Sequence, residues 1–285
     1  MILTGRLVAS ITGEALGGLS VLLADKTTTT DADGRFRYEL PPGGTYPRLT
    51  IGGPNIVQRS MSLTLLESRD LTVDVISLNS GFDLDYYRRL VRDDYDSPGL
   101  LRSLRRWTQA PRLYLKTIDE AGAPVDADTL EHVAAAFEDD AAAWTGGRFG
   151  LAGIDRGTET REGVSGWITV KWPIDGDETL CGRAQVAADG GWIELYSRNR
   201  DCACVGSRIS PGVVRHELGH ALGFYHTGER DDVMYPFAQC DRHPSARERL
   251  HAAIAYSRPF GNMDLDDDPF SLFQRLKAGA PIVVN

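Results

Sequence analysis

The chain lacks both an excess of basic residues and a long apolar run. Its 285 residues include 31 Lys and Arg against 40 Asp and Glu, which gives a formal net charge of −9. This balance argues against nucleic acid as a partner, because nucleic acid is bound largely through its phosphates. No apolar stretch approaches the roughly 20 residues that a membrane-spanning helix needs. The first residues also lack the basic start of a secretory signal, so we expect any leader to be absent from this chain.

Cysteine is scarce and confined to the C-terminal half, at Cys181, Cys202, Cys204 and Cys240. An even number is typical of disulfides in an exported protein, which predicts a secreted or extracytoplasmic location. Residues two apart rarely bridge each other, so we expect Cys202 and Cys204 to pair separately with Cys181 and Cys240, in either arrangement. Free thiols or a second zinc site are the alternatives. The zinc alternative is weaker because Cys-x-Cys is tighter than the usual ligand spacing.

Histidine is scarce too, yet three of the six lie within one short segment, His216-Glu217-x-x-His220-x-x-Gly223-x-x-His226. On a helix, His216 and His220 are one turn apart and point the same way, so both can bind one metal ion. Glu217 is offset around the helix, where it can reach a water molecule on the metal. Gly223 can adopt positive φ and end the helix, which brings His226 in as a third ligand. Three imidazoles leave one position of a tetrahedral zinc open, as in catalytic sites.

The segment resembles the motif of the metzincin metalloendopeptidases, HExxHxxGxxH followed by a turn that contains methionine. Residues 232–236 are the candidate turn, and their Met-Tyr-Pro resembles the matrixin branch. The resemblance implies that Met234 forms an apolar floor beneath the imidazoles without binding zinc. In matrixins a Pro-x-Tyr segment walls the pocket for the residue after the scissile bond, but Pro236-Phe237-Ala238 lacks that tyrosine. We find no cysteine-switch segment of the matrixin type.

Residues 1–78 alternate short strands with turn signals, which predicts a small all-β sandwich. The candidate strands are Thr4–Ile11, Leu19–Asp25, Arg35–Leu40, Arg48–Ile51, Ile56–Leu65 and Leu71–Leu78. The segments Gly5–Val8, Leu19–Val21 and Thr30–Phe36 resemble the carboxypeptidase regulatory-like domain. That resemblance implies a transthyretin-like sandwich of about seven strands with an accessory role.

A helical linker is predicted for residues 79–108. Leu84–Val91 has helical spacing of its apolar residues, and Ser97-Pro98-Gly99 breaks it. Leu100–Trp107 is predicted as a second short helix that packs on the following domain.

Residues 109–285 form the predicted catalytic domain, an α+β fold with a twisted mixed sheet and three helices. The candidate strands are Arg112–Ile118, Phe149–Asp155, Trp167–Trp172, Ala184–Ala187 and Trp192–Tyr196. The helices are Asp126–Trp144, the zinc helix that begins at Pro211 with Ser210 as N-cap, and Ser245–Tyr256. The order of these elements is what the metzincin resemblance implies.

Three groups of aspartates could suggest further cation sites: Asp31 with Asp33, the three at Asp93, Asp94 and Asp96, and the run Asp264–Asp268. For the first we favour a hairpin turn over calcium, because no bidentate glutamate follows at loop spacing. For the second we favour a solvated helix end over a carboxylate that caps the zinc. For the third we favour a solvated acidic loop, so calcium is unsupported.

The sequence therefore predicts a zinc-dependent endopeptidase with one zinc ion, bound by His216, His220 and His226. Glu217 is the expected general base in the hydrolysis of internal peptide bonds. The expected partner is a protein or peptide substrate, extended along a sheet edge at Gly191–Ser197. Two alternatives remain: a binding or adhesion protein with an inert zinc site, and a zinc hydrolase of a non-peptide amide or ester. A structural zinc site alone would have no use for Glu217.

Overall fold

The computed structural model describes residues 1–41, 48–63, 65–174, 180–197, 202, 209–237 and 239–269. The strands in these ranges are β1 (Ile2–Ala9), β2 (Ser20–Leu23), β3 (Lys26–Thr29), β4 (Arg35–Glu39), β5 (Arg48–Gly52), β6 (Arg59–Ser62), β7 (Arg69–Val75), β8 (Arg112–Lys116), β9 (Gly153–Gly157), β10 (Trp167–Lys171), β11 (Gly182–Ala184), β12 (Trp192–Leu195) and β13 (Asp266–Asp267). The α-helices are α1 (Leu84–Arg92), α2 (Ala127–Trp144), α3 (Pro211–Leu222) and α4 (Ala246–Ser257).

The chain divides into two compact units. Among the described residues, the first contains Met1–Leu84 together with 257–269, and the second contains Asp85–Tyr256. The sequence had placed residues 79–108 in a separate linker and everything after residue 108 in one domain. In the structure, most of that linker belongs to the second unit, and the last described residues belong to the first.

The first unit consists of two sheets, with strand orders β4-β1-β7 and β13-β6-β5-β2-β3. Buried and exposed residues alternate along β1, β2, β4 and β5, so each strand turns one face inward. Residues from both sheets share one apolar core, among them Leu3, Val21, Ile51 and Val75. An N-terminal β domain is therefore confirmed. The sequence missed β3, because its Lys-Thr-Thr-Thr has no apolar alternation.

The predicted turn after β3 is a tight one. The Asp31 side chain accepts hydrogen bonds from the backbone N–H groups of Asp33, at 3.0 Å, and Arg35, at 2.7 Å. Gly34 has a φ of +76° and donates to the Asp31 carbonyl at 3.0 Å. The Asp31 carboxylate thus holds the turn that leads into β4.

The prediction that Asp264–Asp268 forms a solvated loop is wrong for Asp266 and Asp268, which are buried. β13 pairs in parallel with β6, and Arg258 donates to Asp266 at 2.8 Å. Arg59, on β6, donates to Asp268 at 3.1 Å. The guanidinium groups compensate the charge of these buried carboxylates. Arg59 lies about 200 residues before Asp268, so the local sequence could not reveal the burial.

The second unit has a five-stranded mixed sheet with the order β11-β12-β10-β8-β9. β12, β10, β8 and β9 are parallel, and β11 runs antiparallel to β12. The N-cap of α2 is Asp126, whose side chain accepts from the Thr129 N–H at 3.1 Å. Trp144, at the end of α2, stacks on Phe224 with ring centroids 4.9 Å apart. The fold class is therefore α+β. The described residues contain four α-helices: the three predicted for the catalytic domain, and α1, where the sequence predicted a helix in the linker.

The predicted second helix at Leu100–Trp107 is absent, since residues 101–107 have no regular structure. The predicted packing is present. Leu104 and Trp107 are buried, and the Trp107 indole N–H donates to the Ala221 carbonyl on α3 at 2.8 Å. An irregular segment brings these side chains to α3, while the intervening Arg105 and Arg106 are exposed or partly exposed.

Candidate metal centre

α3 begins and ends where the sequence predicts. Ser210 caps its N-terminus by accepting hydrogen bonds from the N–H groups of Gly212, at 3.1 Å, and Val213, at 3.4 Å. Gly223 follows its last residue with a φ of +118°, and its N–H donates to the Gly219 carbonyl at 3.1 Å. A Cβ at Gly223 would also collide with the backbone oxygen of Arg105. Glycine is required there by both the φ and the close approach.

The chain that leaves α3 brings the third histidine back to the first two. His216, His220 and His226 each present one ring nitrogen, and these atoms lie within 4.8 Å of one another. The Nε2 atoms of His220 and His226 are 3.2 Å apart. Among the described residues this is the one cluster of His, Cys, Asp and Glu that could hold a metal ion.

Backbone carbonyls orient the two histidines of α3 through their Nδ1 atoms, here called the outer nitrogens. His216 Nδ1 is 2.7 Å from the Val233 oxygen, and His220 Nδ1 is 2.8 Å from the Phe224 oxygen. A carbonyl only accepts, so each Nδ1 carries the proton and each Nε2 carries the lone pair.

Burial, followed by the charge of neighbouring His226, lowers the pKa of His216 to about 4. Burial and the neighbouring histidines also lower the pKa of His220 well below its usual value. Both rings are therefore neutral near pH 7, as metal ligands must be.

A carboxylate holds the outer nitrogen of the third histidine. His226 Nδ1 is 2.7 Å from Asp96 Oδ2, a group 130 residues earlier in the chain. Asp96 is exposed, as predicted for a solvated helix end, yet its carboxylate also contacts this ring and lines the same cavity. The same prediction is wrong for Asp93, which is buried. A ring that donates to a carboxylate through Nδ1 directs the lone pair of Nε2 toward the other two rings.

The distance between two of the three nitrogens fits zinc. Zinc bound by imidazole at about 2.0–2.1 Å in tetrahedral geometry separates its donors by roughly 3.3 Å. The 3.2 Å between His220 and His226 is close to that value. Without a cation, these two lone pairs would face each other and repel.

Glu217 lies beside the cluster and is 3% exposed. Its buried Oε2 atom has no hydrogen-bond partner within the described part of the chain. Burial, followed by the charge of Glu194, raises the pKa of Glu217 well above its usual value. Gly182 on β11 packs against this side chain so closely that an added Cβ would lie 2.6 Å from Glu217 Oε1. A buried, unpaired carboxylate oxygen at a cavity wall is unusual and calls for a functional explanation.

Met234 lies beneath α3 and is fully buried. A Cβ added to Gly219, the residue before His220, would collide with the Met234 sulfur. The preceding residue, Val233, provides the carbonyl that orients His216. The predicted turn therefore packs against α3 through the Met234 side chain and orients His216 through the Val233 carbonyl.

The sequence did not show that Glu248, on α4, holds this turn. Its carboxylate accepts hydrogen bonds from the N–H groups of Val233, at 3.1 Å, and Met234, at 2.8 Å. It also accepts from Ser245 N–H at 2.7 Å, while Glu248 N–H donates to the Ser245 hydroxyl at 3.0 Å. The last two bonds are the capping box that the Ser-x-x-Glu spacing predicts. The Ser-x-x-Glu spacing located the start of α4, but it did not indicate that Glu248 also binds the turn at Met234.

A cavity of about 610 Å³ opens over the cluster. Its lining includes residues 180–184, Pro236 and Phe237. The expected substrate edge at Gly191–Ser197 is wrong, because β12 is paired on both sides, with β10 and β11. Among the described strands, β11 ends this side of the sheet. The sequence missed that edge because β11 has only three residues, two of them glycine and alanine.

Cys181, in the cavity wall, forms a disulfide with Cys202. Cys240 is also disulfide-bonded, and Cys204 lies outside the described residues. None of the described cysteines is free. This agrees with the prediction that Cys202 bonds to either Cys181 or Cys240.

Comparison with known families identifies the segment that carries the cluster. Residues 162–252 match the peptidase family model Peptidase_M10, Matrixin. The matched segment is metzincin-like. The match begins before β10 and ends within α4, so this metzincin-like segment includes α3, the turn at Met234 and His226. It supports metallopeptidase activity and confirms the resemblance in the motif. Asp96 lies upstream of the matched residues.

Three solved structures show weaker similarity. Metalloproteinase-II from Bacteroides fragilis has 12% identity over 88% of this chain and 84% of that chain, with a TM-score of 0.35. A mutant type II cohesin–X-dockerin complex from Acetivibrio cellulolyticus has 20% identity over 27% of this chain and 55% of that chain, with a TM-score of 0.22. A Bacteroides fragilis protein of unknown function has 17% identity over 28% of each chain, with a TM-score of 0.24. This chain thus spans about half the length of the cohesin–dockerin structure and about a quarter of the protein of unknown function. All three TM-scores are too low to carry an argument. No curated protein matched.

Proposed function

We propose that the chain is a zinc endopeptidase that hydrolyses internal peptide bonds of proteins. One observation carries the proposal: three imidazole nitrogens converge beside Glu217, whose buried oxygen has no partner within the described residues. Three nitrogens leave a tetrahedral zinc with an open position, which suits catalysis. The matrixin match supports the same chemistry.

In this proposal His216, His220 and His226 hold the zinc. The bound ion supplies Lewis acidity toward the scissile carbonyl and makes a nearby water molecule acidic. Glu217 takes a proton from that water and later delivers it to the leaving amine. Its burial excludes bulk solvent from the proton it carries. Met234 and Glu248 keep the imidazoles in place and take no part in proton transfer.

The substrate is proposed to bind as an extended strand along β11. β11 ends its side of the described sheet, and its residues line the cavity beside Glu217. A peptide added there would gain backbone hydrogen bonds whatever its sequence. The exposed Phe237 ring also lines this cavity and is proposed to contact the substrate in place of the absent tyrosine.

We further propose that the first unit is a carboxypeptidase regulatory-like domain with a transthyretin-like fold and an accessory role. The disulfide between Cys181 and Cys202 supports an extracytoplasmic location. In the described residues no helix has the length and apolarity to cross a membrane.

A chelator-sensitive cleavage assay tests the proposed activity. The full chain is incubated with casein and with a quenched-fluorescence peptide library, and the products are analysed by mass spectrometry. We expect cleavage at internal bonds, loss of cleavage with 1,10-phenanthroline, and recovery when zinc is restored. If the zinc-loaded protein cleaves only small amides or esters, the non-peptide hydrolase is correct. If it binds zinc and cleaves nothing, the binding protein is favoured.

A further inference from the structure

The three histidines differ in what orients them. His216 and His220 are fixed on a helix and donate to backbone carbonyls. His226 lies beyond the helix, and its outer nitrogen is held by the Asp96 side chain. The backbone around His226 is fixed on both sides, because Tyr225 N–H donates to the Leu90 carbonyl at 2.8 Å and Thr227 N–H donates to the Met234 carbonyl at 2.9 Å. The backbone bonds place the residue, but they leave its ring free to rotate.

The segment after α1 presents Asp96 to that ring. Asp93 accepts a hydrogen bond from the Ser97 hydroxyl at 3.1 Å, and Asp94 accepts from the Gly99 N–H at 2.8 Å. These two carboxylates therefore stabilise the turn itself. Asp96 points out of the turn instead, and it is the member of the group whose carboxylate contacts His226.

We propose that Asp96 is a positioning residue for the third metal ligand. By accepting the Nδ1 proton at 2.7 Å, it fixes the tautomer and the rotation of the His226 ring, so that Nε2 faces His220 Nε2. A carboxylate on the outer nitrogen also makes an imidazole a stronger ligand. The inference rests on the proposed zinc site, and it extends that site to a residue outside the matrixin-matched segment. The segment after α1 then contributes one side chain, that of Asp96, to the support of the metal centre.

Zinc affinity of the full chain tests this role without measuring activity. The affinity is measured at pH 7 by competition with a chromophoric chelator for the wild type, Asp96→Ala, Asp96→Asn and Asp94→Ala. We expect Asp96→Ala to weaken zinc binding by about 10–100-fold, as loss of such an outer partner does elsewhere. Asp96→Asn keeps an oxygen acceptor and is expected to recover much of the loss. Asp94→Ala removes a bond of the same turn and is expected to bind zinc like the wild type.

Two further measurements separate positioning from simple structural damage. The visible spectrum of the Co²⁺-substituted protein is expected to change in Asp96→Ala, because the orientation of one ligand changes. Thermal unfolding of the metal-free Asp96→Ala protein is expected to match that of the wild type. Wild-type zinc affinity in Asp96→Ala, or equal losses in Asp96→Ala and Asp94→Ala, would overturn the role of Asp96 while leaving the zinc site intact. A wild-type protein that binds no zinc would overturn both proposals.

Discussion

Glu217→Ala is expected to bind zinc as the wild type does and to hydrolyse peptides at least about 100-fold more slowly. The three imidazoles remain in this variant, while the group that moves the proton is removed. The measurement is kcat/KM on a quenched peptide, together with zinc content of the same sample. The effect should fall on kcat, because Glu217 acts on the proton in the transition state.

A matched control for this variant is Glu229→Ala. Glu229 is a partly exposed glutamate just beyond the third histidine, where it lies near Arg89 and Arg247. We expect its removal to leave turnover within about twofold of the wild type, because exposed ion pairs contribute little. Full turnover in Glu217→Ala would contradict the assigned role of the carboxylate.

Gly223→Ala is expected to destabilise the second unit by about 3 kcal/mol or more and to weaken zinc binding. The φ of +118° is one that side chains rarely allow, which costs about 1–3 kcal/mol, and the new Cβ would collide with the Arg105 carbonyl. Relief of that collision must move either the end of α3 or the segment that contains Arg105. The His226 ring then leaves its place. Thermal unfolding followed by circular dichroism should show a midpoint lower by roughly 6–12 °C.

Gly150→Ala is the control for the glycine substitution. Gly150 belongs to the same unit, a Cβ added there would have no other atom within 4 Å, and its φ is outside the range that favours glycine. We expect a change within about 0.5 kcal/mol. If Gly223→Ala is as stable as Gly150→Ala, the end of α3 is not fixed as described.

The metal cluster could be predicted because its determinants are local. His216, His220 and Gly223 share one helix and its C-cap, so their geometry follows from helical spacing and from the φ that glycine allows. Ser210 and Ser245 marked the starts of α3 and α4 for the same reason. Each of these signals lies within a few residues of the feature it predicts.

The groups that hold the cluster in place could not be predicted, because they come from elsewhere in the chain. Asp96 is 130 residues from the ring it contacts, and the sequence around Asp96 predicted only a solvated helix end. Glu248 lies 14 residues from Met234, on a different element. The burial of Asp266 likewise depends on Arg258 and on pairing with a strand far upstream. Spacing rules describe one element at a time, whereas these contacts depend on how elements pack.

The central claim is that three imidazoles of this chain hold one zinc ion. Elemental analysis of the natively purified full chain, beside His226→Ala prepared in the same way, tests it most directly. We predict one equivalent of zinc per chain in the wild type and a large loss in the variant. Absence of any transition metal from the wild type, or unchanged zinc in His226→Ala, would contradict the account.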